Sequence, residues 1–349
     1  MNASVNRSAD SRRVRPGRAA TARLALLSLV TTATLVLPSH PAAAYYPDPY
    51  AYVPSCTNYG TSVVSLATNT VVKTLAINDY PGAAAINPGG TRAYVTVPNT
   101  RQIMVFDTLH DTLLTTINNA GSSPNAIAID PSGSFAYVTN SNYHTNSPMT
   151  VVDLATNAVV ASIPVSGDQG YLAFDPTGTR VYAGNWTNGV SVVDTATHTV
   201  VATITVGWRP TGVAVDPTGT RLYVANGLDD TVSVIDLATY ATVATIAVGL
   251  DPEGVTLNPA GTRLYVANSS SSTISVIDTA TNAVVATFTA GYGVQSIAFN
   301  PDNPAVGYFV RDASGMALYR FDTATNTTTG YVGVGSNPCN LAVSRGYGA

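Results

Sequence analysis

Along most of the chain, short apolar runs alternate with polar turns. Between Thr211 and Val248, "TGVAV" is followed by the turn "DPTGT", then "RLYVA", "TVSVID", the turn "LATYA" and "TVATIAV". Runs of this length, rich in Val, Ile, Thr and Tyr and bounded by Gly, Pro, Asn and Asp, predict four strands, here lettered A to D. Strict apolar–polar alternation is weak. That is the expected pattern for a sheet covered on both faces.

The four-strand unit repeats. "NPGGTRAYVTV" begins at Asn87, "DPSGSFAYVTN" at Asp130, "DPTGTRVYAGN" at Asp175, "DPTGTRLYVAN" at Asp216, "NPAGTRLYVAN" at Asn258 and a degenerate "NPDNPAVGYFV" at Asn300, in steps of 43, 45, 41, 42 and 42 residues. A second phrase keeps step with it, its strand C ending at Asp107, Asp153, Asp194, Asp236, Asp278 and Asp322. A period in the low forties with four strands per unit predicts a β-propeller, whose four-stranded blades surround a central channel. Pro second and Gly fourth in the A–B turn suit a type I turn, with the leading Asp or Asn expected to bond the backbone two residues on.

These phrases, with "YVTN" at Tyr137 to Asn140 and "YVAN" at Tyr223 and Tyr265, resemble the YVTN-type β-propeller repeat family of secreted and surface-layer proteins. The resemblance spans about residues 50–344. It implies the fold and an extracytoplasmic setting, but no single activity, because the recurring residues build blades.

Six strand-B tyrosines are evident: Tyr94, Tyr137, Tyr182, Tyr223, Tyr265 and Tyr308. A seventh, Tyr52, emerges when "AYVPSCTNYGTSVVSLAT" is laid on "LYVANGLDDTVSVIDLAT". The N-terminal unit then lacks strand A, which "NPCNLAVS" (337–344) supplies by alignment with "RPTGVAVD" from Arg209. The expected fold is therefore an all-β, seven-bladed propeller closed by three N-terminal strands and one C-terminal strand. Cys56 falls at the Gly227 position and Cys339 at the Thr211 position. With Val213 facing Val224, Thr211 would lie opposite Asn226, close enough to place the cysteines within disulfide reach. A Cys56–Cys339 disulfide clasping the seam is expected over two free thiols.

The first 44 residues differ in character, with six arginines, an apolar run from Leu24 to Leu37, and small residues at Ala42 and Ala44. This reads as a signal peptide preceding a propeller over 45–349. It predicts a secreted or cell-surface protein with no membrane insertion after cleavage. Cleavage would remove six of the 16 basic side chains and Asp10 alone of the 20 acidic ones, leaving a net charge near −9 with Lys73 as the sole lysine. Nucleic acid is excluded as a default partner, because polyanion binding needs clustered cations.

Chemistry-bearing motifs are sparse. His110 and His198 are read as occupying the Asn position of the C–D turn, and His144 lies in the longest B–C loop. No metal-ligand spacing or cofactor motif is present, so neither is expected. Asn185 and Asn268 fit the N-glycosylation pattern. Subtracting the repeat leaves two sets of unlike residues. The first is Tyr80, Ser123, Asp168, Arg209, Asp251, Gly293 and Asn337. The second, two residues further on, is Gly82, Asn125, Gly170, Thr211, Glu253, Gln295 and Cys339. Both sets should ring the channel mouth on the face carrying the D–A and B–C loops, where blade-to-blade differences suit an asymmetric ligand. The candidate ligand-binding residues are Trp208, Arg209, Asp251, Glu253, Tyr292, Gln295, Asp168 and Trp186; catalytic residues are not assigned. The expected role is a binding module for a small polar ligand, a glycan or a protein partner. An extracellular hydrolase or lyase at the same mouth and a surface-layer component are the alternatives.

Overall fold

The computed structural model describes residues 49–141, 147–312 and 316–344, so residues 1–44, read above as a signal peptide, and His144 lie outside the described residues. Seven separate four-stranded antiparallel sheets form, and the described residues contain no helix. Blade 5 consists of Pro210–Val215, Arg221–Asn226, Thr231–Asp236 and Thr242–Ala247, within one residue of the strands its sequence predicts. Blade 1 joins Tyr50–Ser55, Gly60–Ser65 and Thr70–Ala76 to the C-terminal strand Ala342–Val343. This is the expected three-plus-one closure.

The core lies between blades. Strand-B tyrosines Tyr52, Tyr94, Tyr137, Tyr223, Tyr265 and Tyr308 are all essentially inaccessible, packed among the Val, Ile and Leu of strands B and C. Two of their hydroxyls reach the neighbouring blade: Tyr137 pairs with Nδ1 of His198 at 2.7 Å, and Tyr52 donates to Asp111 at 3.4 Å. The second contact corrects the reading of His110. The left-handed turn position, held by Asn157, His198 and Asn282 elsewhere, belongs in blade 2 to Asp111 (φ 50°). His110 sits one residue earlier and bonds Asp107 through its own N–H and ring.

The lower face, formed by A–B and C–D turns, is made by the recurrent residues. Asp216 accepts from the N–H groups of Thr220 (2.7 Å) and Arg221 (2.8 Å), so the first turn residue caps the backbone four and five positions on; its partner two residues on is the Thr218 hydroxyl. Arg221 pairs with Asp236 at 2.8 Å and Arg180 with Asp194 at 2.6 Å. Gly261, at φ 70°, packs on the preceding blade, where an added Cβ would come within 2.7 Å of Pro217 Cδ. The "DPxG" phrase thus interlocks successive blades.

Each blade exposes its outer strand D, with apolar pairs such as Val159–Val160 and Val200–Val201 on the perimeter. In every blade the C–D pairing carries a bulge at the same place, between Val192 and Val193 in blade 4 for example. Such bulges twist an edge away from further strand pairing.

Candidate functional site

Strand A is innermost, and its first residues create the mouth. Pro210 pairs with Asn226 and Val213 with Val224, so two residues bulge out between them. Two strand-A residues thus oppose one of strand B, a one-residue shift that blades 3, 4 and 6 repeat and that blade 7 makes with Gln295 alone. The bulge corrects the expected Thr211–Asn226 pairing and frees Thr211, Glu253 and their counterparts to face the bore. Close approach of successive strands fixes the ring. A side chain on Gly254 would overlap the Gln295 carbonyl, and the Thr211 hydroxyl donates to the Pro252 carbonyl at 2.8 Å.

All seven residues of the second predicted ring line one cavity of about 450 Å³ at this mouth. Of the eight candidate ligand residues, Glu253, Gln295 and Trp186 border it directly. Arg209 and Asp251 stand beside it and are tied to Glu253: the Arg209 guanidinium contacts the Asp251 carboxylate closely and reaches Glu253 at 3.2 Å. Trp208 and Tyr292 are exposed on the surrounding loops (59% and 61%). Asp168 is 9% exposed, its carbonyl accepting the Trp186 N–H at 2.7 Å, so it supports the wall and does not present itself to solvent. Asn185 and Asn268 are buried, with Nδ2 of Asn268 donating to Thr273 and Ser275, and neither offers a glycan attachment point.

Two loop positions carry backbone strain. Arg209 (φ 53°) and Asp251 (φ 55°) adopt the left-handed conformation that Gly293 and Asn337 take with little penalty in equivalent places. A hydrogen-bond chain holds them. The Trp208 N–H donates to Asp229 at 2.8 Å, the Asp251 N–H to Asp230 at 2.8 Å, and the Ser270 hydroxyl to Asp251 at 3.1 Å.

Glu253 is the electrostatic centre. Its confinement within the ring pushes its pKa up to about 7, with Arg209 opposing that rise and Asp251 and Asp312 adding to it. Neither Asp312 nor Tyr171 figured among the sequence candidates. Gln295 Nε2 donates to Asp312 at 2.8 Å, linking that carboxylate to the mouth. Tyr171, on strand A of blade 4, bonds Asn340, two residues before the closing strand of blade 1, so its side chain reaches across the bore. Encirclement by the blades raises its pKa. Tyr171 also lines the cavity.

Cys56 and Cys339 are disulfide-bonded, with Cα atoms 5.8 Å apart, and both line the cavity. Flanking the bond, the Cys56 N–H donates to the Asn337 carbonyl at 3.0 Å and that of Cys339 to Pro54 at 3.3 Å. The clasp is therefore also part of the mouth wall. Among the described residues, no three His, Cys, Asp or Glu side chains converge as a metal site.

The two faces differ in exposed apolar groups. Apart from the strand-D perimeter, the exposed large apolar side chains among the described residues are Tyr59, Tyr80, Trp186, Trp208, Leu228, Leu250, Tyr292 and Met316. Every one lies in a D–A or B–C loop, on the face bearing the cavity.

The fold and its mouth define a seven-bladed β-propeller with one polar cavity framed by unlike residues. Residues 214–346 match the family model of the YNCE-like beta-propellers, with which the YVTN-type repeats are consistent. Among solved structures, the chain is similar to a functionally unknown protein from Desulfotomaculum acetoxidans DSM 771, at 17% identity, TM-score 0.75, and coverage of 85% of this chain and 99% of that one. It is also similar to Kuenenia stuttgartiensis hydrazine synthase, at 19% identity, TM-score 0.65, and the same two coverages. At these identities the likeness is one of fold. No curated protein matches the chain significantly.

Proposed function

We propose that this propeller is an exported binding module whose ligand occupies the cavity on the D–A/B–C face. One observation carries the reading: seven equivalent positions at the start of strand A converge on a single cavity, yet differ from blade to blade, glycine alone occurring twice. A scaffold role favours sameness at equivalent positions, as in the lower-face turns. Asymmetry here suits a ligand without sevenfold symmetry. Amides and hydroxyls of Asn99, Asn125, Thr211, Gln295 and Asn340 offer hydrogen bonds, Trp186 a stacking surface and Glu253 the charge. The disulfide supports export, since such bonds persist in oxidising compartments.

Glu253 favours a second reading. A carboxyl with its pKa near 7 is poised for general acid–base work, as an extracellular hydrolase or lyase would need.

Thermal-shift screening against sugars, peptides, lactones and divalent metals tests both readings. A stabilising ligand is expected, with its shift lost in Arg209→Ala and Glu253→Gln. A shift that survives both substitutions removes these residues from the site, and turnover of the hit selects the enzyme reading.

A further inference from the structure

Five of the eight exposed apolar loop residues lie on blades 5, 6 and 7, while Tyr59 and Tyr80 stack on one another across blades 1 and 2 and Trp186 stands on blade 4. Trp208, Leu250 and Tyr292 occupy the same D–A loop position in successive blades 5, 6 and 7, flanked by Leu228 and Met316 in B–C loops. Three neighbouring blades therefore each present an exposed apolar side chain at this position, an arc interrupted by charged residues. The Leu228 N–H donates to the Trp208 carbonyl at 3.2 Å, so the two loops within blade 5 are joined beneath it.

Charge along this arc has one dominant sign. Asp229, Asp230, Asp251, Glu253 and Asp312 lie within or beside it. Of the two arginines there, Arg209 is held by Asp251 and Glu253, and Arg311 lies over the Tyr319 ring at 4.3 Å. Both cations are turned inward onto protein partners. A partner seated on the arc meets an apolar shelf whose inner border is acidic.

An exposed apolar arc of this kind favours a partner that desolvates it, and the acidic border selects the partner's charge. A neutral glycan would use the aromatics without using Leu228, Leu250 or Met316. An acidic partner would be repelled.

Resting on the binding-module reading, we propose that the occupant is a cationic, amphipathic polypeptide segment of another protein. Its aliphatic or aromatic side chains cover Trp208, Leu250 and Tyr292, and a lysine or arginine enters the mouth toward Glu253 and Asp251. Such a group adds a second cation beside Glu253, which the ring desolvates and which Arg209 alone offsets, and the segment's extended backbone follows the arc from blade to blade.

The test is fluorescence anisotropy of the oxidised full chain with three labelled peptides: one alternating lysine with leucine and tryptophan, one with glutamate replacing lysine, and one with serine replacing the apolar residues. The first is expected to bind about tenfold or more tighter than the other two, a difference of about 1.4 kcal/mol or more. Asp251→Asn and Leu250→Ala should each weaken it about fivefold or more, measured alongside the exposed lower-face control Asp302→Asn, which should leave it unchanged. Equal binding of the serine peptide, or equal loss in the Asp302 variant, would reduce the effect to net-charge attraction and overturn the proposal. Failure of all three peptides while a sugar stabilises the protein through Glu253 would overturn the polypeptide class and leave the cavity reading standing. Failure of every ligand would end both.

Discussion

The lower face of the ring and its upper face are built from the same repeat but put charge to opposite uses. Below, the aspartates closing strand C have local partners: the Asp194 pKa, for example, is lowered by the Thr197 backbone N–H and hydroxyl and by Arg180. Above, Glu253 is pushed upward because the bore desolvates it and other carboxylates crowd it. Repetition marks groups that fold the chain. Departure from repetition marks groups whose placement costs stability, as expected where a protein trades stability for a binding surface.

The sharpest break of this contrast lies at the seam, which serves both faces. Cys56→Ser with Cys339→Ser should lower stability by about 2–4 kcal/mol, because residues 283 apart lose their cross-link. Urea midpoints report it. No change would mean that the short pairing of Ala342–Val343 closes the ring unaided.

Next in size, Glu253→Gln should stabilise the protein at pH 8 by on the order of 1–3 kcal/mol while weakening ligand binding. The sign follows from linkage. A carboxyl raised from 4.5 to about 7 is penalised when charged, so folded stability falls as pH climbs through that window and the full penalty persists above it. The gain should therefore vanish near pH 4. Destabilisation at pH 8 would show that the Arg209 pairing outweighs desolvation.

One lower-face position breaks the face's own rule and should behave like the mouth. Asp111, buried and raised to about 6, replaces the asparagine seen at 157, 282 and 326. Desolvation is the main cause, opposed by the Tyr52 hydrogen bond and Lys73. Asp111→Asn retains the left-handed turn and should add about 1–2 kcal/mol above pH 7, fading as pH falls through 6 toward 3.8. Melting temperatures across pH read it directly.

The smallest pair completes the contrast. Asp216→Ala removes the backbone cap of an A–B turn and should cost about 1–2 kcal/mol. Leu250→Ala, 54% exposed, should change stability by less than about 0.5 kcal/mol. Reversal of that order would mean that the upper loops are scaffold too.

How much was legible from sequence follows the same division. Blade count, strand limits and the seam were readable because turns, tyrosines and closing aspartates recur in register. The second ring was readable because deviations stand out against a repeat. Tyr171 and Asn340 escaped because strand alternation assigns one inward residue per step, whereas the bulge after Gln169 or Pro338 turns two successive residues toward the bore. Asp312 escaped because blade 7 replaces the "YVAN" ending with Tyr308-Phe309-Val310-Arg311, leaving no matching phrase to measure from. Asp168 was placed correctly in order along the chain, but pattern does not reveal burial under Trp186.

Hydrogen–deuterium exchange of the oxidised chain, with and without the lysine–leucine–tryptophan peptide, tests the central claim most directly. Protection is expected in the loops entering strand A of blades 5, 6 and 7, with the "DPxG" turns unchanged. Protection centred on those lower turns, or spread evenly around the ring, would contradict it.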